Sequence, residues 1–193
     1  MGIDTFPLKN VKTIVLHRTD SGDAKSAISG MVNGGKGVHF VIEKDGSIQR
    51  IMDWDKGASH VGGTAPKYRF EFSYLKDFDT TGNNFTSTES MGIEVVGKYD
   101  PETGLFETPS PEQLKAVSQL VEALKIKFKL GDEAVVIHGL MSPKKFTEGL
   151  GLGYDRDKSR LTEKFIDKLN GHAKNFKDGN YKDAKAAKEI MKL

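Results

Sequence analysis

The sequence predicts an α/β fold: a single mixed central β-sheet flanked by helices, with a helical C-terminal extension. Three observations predict it. Short β-branched apolar runs recur at Thr13–Leu16, Val38–Ile42, Met91–Val96 and Ala134–Ile137. Stretches of helical period lie between and after them. The 193 residues are 37% hydrophobic, enough for one sizeable core without disulfide or metal staples. The main domain is expected over residues 8–170 and the extension over 171–193.

The first run, Thr13-Ile14-Val15-Leu16, reads as a buried strand that closes on His17. Ala24 to Val32 places Ala24, Ala27, Ile28 and Met31 on one helical face, and Gly34-Gly35-Lys36-Gly37 ends it. Val38 to Ile42 is the second strand. Lys44-Asp45-Gly46-Ser47 supplies a hairpin turn, and Ile48 to Met52 returns from it. Residues 55–88 carry no sustained period and read as a long functional loop. Met91 to Val96 is the third strand. Ser110, Pro111 and Gln113 form a capping-box start to a helix whose Leu114, Val117, Leu120, Val121, Leu124 and Phe128 recur at helical spacing up to Gly131. Ala134 to Ile137 is the fourth strand and closes on His138. Leu161 to Leu169 reads as a further helix.

Composition narrows the function classes. The balance of 29 Lys and Arg against 27 Asp and Glu is too even to make nucleic acid a main partner. No apolar run reaches the roughly 20 residues of a membrane span. Met1 to Lys12 lack the basic-then-apolar pattern of an export signal, so synthesis in the cytoplasm is expected. With no cysteine, a metal would be held by His and carboxylates.

His17 and His138 both close apolar strands. If those strands are parallel neighbours, the two imidazoles leave one edge of the sheet, where ligand sites of open α/β sheets lie. A catalytic zinc takes three protein ligands and keeps a fourth position for water. Glu148, in the loop after His138, is the first choice for the third ligand, with Asp155 and Asp157 as rivals. Glu94 stands in an otherwise apolar strand, on the face opposite Ile93. Buried there, its carboxyl would be pushed toward the range useful for acid–base chemistry; exposed, it would be only the wet side of a strand. His39 reads as structural and His172 as a surface residue.

Five segments in this order and spacing resemble the type-2 N-acetylmuramoyl-L-alanine amidases, which are similar to the animal peptidoglycan recognition proteins. They are Thr13-Ile14-Val15-Leu16-His17-Arg18-Thr19, Val38 to Ile48, Ala58-Ser59-His60-Val61-Gly62, Ser90-Met91-Gly92-Ile93-Glu94 and Val136-Ile137-His138-Gly139. The resemblance runs from about Val11 to about Leu169. It implies a Zn2+ site with His17 and His138 as ligands and Glu148 where the family places a Cys or Asp. It implies Glu94 as a catalytic glutamate and His60 as a cleft-lining histidine that contacts substrate. The reaction implied is hydrolysis of the amide between N-acetylmuramic acid and L-alanine in peptidoglycan, as in cell-wall lysis by an endolysin. Three positions depart from the pattern: Val38 replaces a Tyr, Phe146 replaces a Lys, and Glu148 is longer than the usual ligand. Lys145, or its neighbour Lys144, is then the candidate cation for the oxyanion.

The alternative is a non-hydrolytic module of the same fold that binds peptidoglycan or muropeptides. In either case the protein is expected to be a monomer acting at the cell wall. From Leu161 onward eight Lys face five acidic residues, so the basic C-terminal segment is a candidate contact for the envelope surface.

Overall fold

The computed structural model describes residues 2–61, 87–140, 145 and 147–154. A five-stranded sheet organises them. Its strands are β2 (Thr13–Arg18), β3 (Phe40–Ile42), β4 (Ile48–Arg50), β6 (Ser90–Val95) and β9 (Val135–Ile137), in the spatial order β4-β3-β6-β2-β9. β6 is central, β2 is parallel to both β6 and β9, β3 is parallel to β6, and β4 is antiparallel to β3. The sheet is therefore mixed, as the sequence predicts. The Lys44–Ser47 turn does join a hairpin, with Asp45 accepting from the Ser47 N–H at 2.8 Å.

Alternation along the strands sends two sets of side chains to opposite faces. One set, with Ile14, Leu16, Met91 and Ile93, packs under helix α2 (Pro111–Phe128), which contributes Val117, Leu120, Val121 and Leu124. The capping box predicted for this helix is formed: Ser110 accepts from Gln113 N–H and the Gln113 side chain accepts from Ser110 N–H. The helix stops at Phe128 because Lys129 turns left-handed at φ 56°. On the other face Val41 and Val96 meet Ala24 of helix α1 (Ala24–Gly34). α1 covers only part of that face, and the remainder carries the polar residues described below.

Several elements differ from the expectation. The second strand begins at Phe40 rather than Val38, because His39 turns its ring onto the backbone of neighbouring segments. Within the long loop, β5 (Lys56–Ala58) pairs antiparallel with β1 (Thr5–Pro7). A small hairpin, β7 (Tyr99–Asp100) with β8 (Leu105–Phe106), follows β6. The Leu161–Leu169 helix, the 171–193 extension, Asp155, Asp157 and His172 lie outside the described residues.

Candidate metal centre

The parallel register dictates the site. Leu16 pairs with Ile137 and His17 with Glu94, so His17, Glu94 and the position after β9 stand in one row at the C-terminal edge of the sheet. They share the face opposite α2. His17 and His138 are neighbours there, with ring centroids 4.3 Å apart.

Glu148 arrives from the loop beyond β9. Its Oε1 lies 3.0 Å from His17 Nδ1 and 2.9 Å from His138 Nδ1. One nitrogen from each ring and one carboxylate oxygen lie within 4.8 Å of one another. The loop is fastened from several sides. Gly139 N–H donates to the Glu148 carbonyl at 2.8 Å, Glu148 N–H donates to the Lys145 carbonyl at 2.9 Å, and the buried Thr147 hydroxyl donates to the Gly104 carbonyl at 2.9 Å. Leu152 then inserts into the main core. Gly149 is required at φ 90°, where a Cβ would sit 2.7 Å from the Leu16 carbonyl oxygen.

The charges suit a divalent cation. Burial, aided by the neighbouring His138, lowers His17 from 6.5 to about 4, so its imidazole is neutral at physiological pH. Burial pushes the Glu148 carboxyl up, but the His138 and His17 ring nitrogens that face it outweigh burial and hold it at about 2, ionised. His138 Nδ1 is buried and makes no hydrogen bond, although Glu148 Oε1 is close. A buried nitrogen left over beside a carboxylate is an atom short of a partner. Two imidazole nitrogens and one carboxylate are a donor set that zinc takes, so the residues present fit the ion.

Glu94 stands beside this group. Burial, with the charge of Glu148, raises its carboxyl well above the ordinary range, while Arg18 opposes the rise. Its Oε2 is sealed from solvent without a hydrogen-bond partner. Arg18 is buried in a cradle where a Cβ on Gly97 would lie 1.8 Å from Nη2, and it donates to the Glu107 carbonyl at 2.8 Å. Burial lowers its guanidinium to about 10, leaving it charged at physiological pH.

The other predicted residues occupy distinct places. His60 lies against His17, its Nδ1 3.1 Å from His17 Nε2 and its Nε2 3.0 Å from Ser90 Oγ, so both ring nitrogens face protein groups. Lys145 pairs with Asp20 at 2.5 Å and holds its ammonium 4.5 Å from the Tyr99 ring centroid. His39 accepts from Gly92 N–H at 3.0 Å and donates to the Lys56 carbonyl at 2.9 Å, the structural role expected of it. Reading the sequence missed Ser90, Gly92, Thr147, Asp20 and Arg18 as parts of the site. Only Gly92 carried a signal, since a glycine inside an apolar strand marks a close approach.

Residues 7–149 match the N-acetylmuramoyl-L-alanine amidase family. No curated protein sequence matches the chain. Among solved structures, the N-acetylmuramoyl-L-alanine amidase LysC from Clostridium intestinale aligns with a TM-score of 0.50 at 21% identity, over 81% of this chain and 90% of that one. AmiD from E. coli, in complex with anhydro-N-acetylmuramic acid-L-Ala-D-gamma-Glu-L-Lys, aligns with a TM-score of 0.56 at 18% identity, over 72% of this chain and 52% of that one. AmpDh3 from Pseudomonas aeruginosa, in complex with anhydromuramic pentapeptide, gives 0.52 at 18%, over 69% and 52%. The chain therefore spans nearly all of the first protein and about half of the other two, and shares their fold.

Proposed function

The chain belongs to the N-acetylmuramoyl-L-alanine amidase family, and from that premise we propose that it is a zinc hydrolase. It cuts the amide between the lactyl group of N-acetylmuramic acid and L-alanine in peptidoglycan or its fragments. The observation that carries this reading is the convergence of one ring nitrogen from each of His17 and His138 and one carboxylate oxygen of Glu148 within 4.8 Å at the sheet edge, with Glu94 alongside. Three protein donors leave a position open, which favours hydrolysis over binding alone. The muramyl peptides bound to AmiD and AmpDh3 point to the same substrate class.

His17, His138 and Glu148 would hold the zinc, which would supply Lewis acidity toward the scissile carbonyl and a water. Glu94 would accept the proton of the attacking water as the water oxygen adds to the carbonyl carbon, and return it to the departing amine of L-alanine as the C–N bond breaks. A carboxyl with a raised affinity for protons suits both transfers. His60 presents only a ring edge to a substrate, since its nitrogens are engaged. Lys145 reaches the oxyanion by releasing Asp20, a move within the freedom of a four-carbon side chain.

The site of action is the cell wall. No described helix is long and apolar enough to cross a membrane. The basic 171–193 segment adds an envelope contact, and the protein works as a monomer.

The test is incubation with purified peptidoglycan, with and without a chelator, followed by assay of newly freed N-terminal L-alanine. Release that the chelator stops and zinc restores is the expected result. Wall binding without release would make the protein a binding module. Neither binding nor release, with no stoichiometric zinc by elemental analysis, would leave the histidines structural.

A further inference from the structure

We propose that His60 is the positioning residue of the metal centre, fixing through a proton relay to Ser90 which nitrogen of His17 is offered to the ion. The inference rests on the zinc reading above and extends it to residues outside the ligand set.

The geometry is a line of three groups behind the site. His17 turns Nδ1 toward Glu148 and leaves Nε2 pointing away, 3.1 Å from His60 Nδ1. His60 in turn leaves Nε2 3.0 Å from Ser90 Oγ. The two rings meet edge-on, with an interplanar angle of 75°. A neutral imidazole has one N–H and one acceptor nitrogen, so the direction of each bond dictates the next. When His17 Nδ1 gives its lone pair to a metal, its proton must sit on Nε2 and His60 Nδ1 must accept it. His60 then carries its own proton on Nε2 and donates to Ser90.

Without the ion the polarity reverses. Glu148 is an acceptor only, so His17 keeps its proton on Nδ1 to meet it. Its Nε2 then accepts from His60 Nδ1–H, and the Ser90 hydroxyl donates to His60 Nε2. Metal binding moves one proton from Nδ1 to Nε2 on each ring and rotates one hydroxyl. Both rings stay neutral throughout. A ligand histidine is commonly oriented by a carboxylate, carbonyl or water on its second nitrogen; here another imidazole takes that place.

His60 is seated for this task. Its own N–H and that of Val61 donate to Ser87 Oγ at 3.2 and 3.1 Å. The ring rests on Gly92, where a Cβ would lie 2.9 Å from His60 Nδ1 and 2.8 Å from Val38 Cγ1. Gly92 is pinned by its N–H bond to His39 Nδ1. The backbone beneath the ring is thus both bare and fixed.

Zinc affinity of the full chain, measured by competition with a chromophoric chelator at neutral pH, tests the relay. Asn at position 60 keeps an acceptor where Nδ1 stood, whereas Leu keeps none and Gln places its amide nearer Ser90. His60→Leu and His60→Gln are expected to weaken zinc binding by about 10- to 100-fold, and His60→Asn to stay near wild type. A second measurement needs no variant: imidazole nitrogen NMR should show the His60 proton moving from Nδ1 to Nε2 on zinc addition. His60→Leu binding zinc as well as wild type, or a His60 tautomer indifferent to zinc, would overturn this inference alone. A wild-type chain that takes up no zinc would overturn the zinc centre and the relay together.

Discussion

Glu94, paired with His17 across the strands, and Glu148, set against His17 and His138, are neighbouring carboxyls that the protein holds in opposite states. Glu148 faces imidazole nitrogens and stays ionised, held at about 2 against the pull of burial. Glu94 is buried with Oε2 unpartnered and feels the charge of Glu148, so its carboxyl is driven well above the ordinary range. Two carboxylates pushed apart in this way divide their labour into ligand and proton carrier. Glu94→Gln removes the proton acceptor and keeps the shape. It should cut release of L-alanine by about 10²- to 10⁴-fold while zinc content, measured by elemental analysis, stays at one per chain. Loss of zinc along with activity would move Glu94 into the ligand set instead.

At the scale of elements, the site depends on a loop and a hairpin that contribute no metal ligand of their own beyond Glu148. The loop carrying Glu148 is tied to the β7–β8 hairpin by the Thr147–Gly104 bond, and Lys145 stacks on Tyr99 of the same hairpin. Thr147→Val keeps the size, deletes the hydroxyl and leaves the Gly104 carbonyl without it. A cost of about 1–3 kcal/mol in urea unfolding is expected, with a parallel loss of zinc affinity as Glu148 loses its anchor. Unchanged affinity in a destabilised variant would show that the loop needs no such tie. This coupling was invisible in the sequence. The strands bearing His17, Glu94 and His138 were legible because burial on both faces writes continuous β-branched runs, and the Ser110 helix because a capping box is a local signal. Hairpin β7–β8 and strand β5 have only two or three residues each, too few for any period to register. Which side chains touch Glu148 is set by loop packing between residues over 100 positions apart, as with His17, and no local pattern encodes that.

Across the whole molecule, the face opposite α2 holds several imidazoles in the neutral form, and this makes the fold acid-sensitive. Burial lowers His17 and His39 to about 4 and His60 well below its ordinary value. The unfolded chain, with histidines near 6.5, takes up these protons first. The stability they give is therefore complete above pH 6.5 and is lost as pH falls through 4, at about 1.4 kcal/mol per pH unit for each group in that window. Glu94 acts in the other direction, since its raised carboxyl contributes stability that is present at low pH and lost as pH rises. Glu148, held at about 2, gives up its share only below the ordinary carboxylate range. With three groups against one, urea unfolding of the chelator-treated protein at pH 7, 5.5 and 4.5 should show a steep decline toward acid. Zinc at 100 times its dissociation constant should add about 2.7 kcal/mol at pH 7. That increment should shrink as acid protonates the ligands, because an ion and a proton compete for the same lone pair. Equal stability at the three pH values in chelator would mean that the imidazoles are hydrated rather than sealed, and a zinc increment independent of pH would mean that they do not hold the ion.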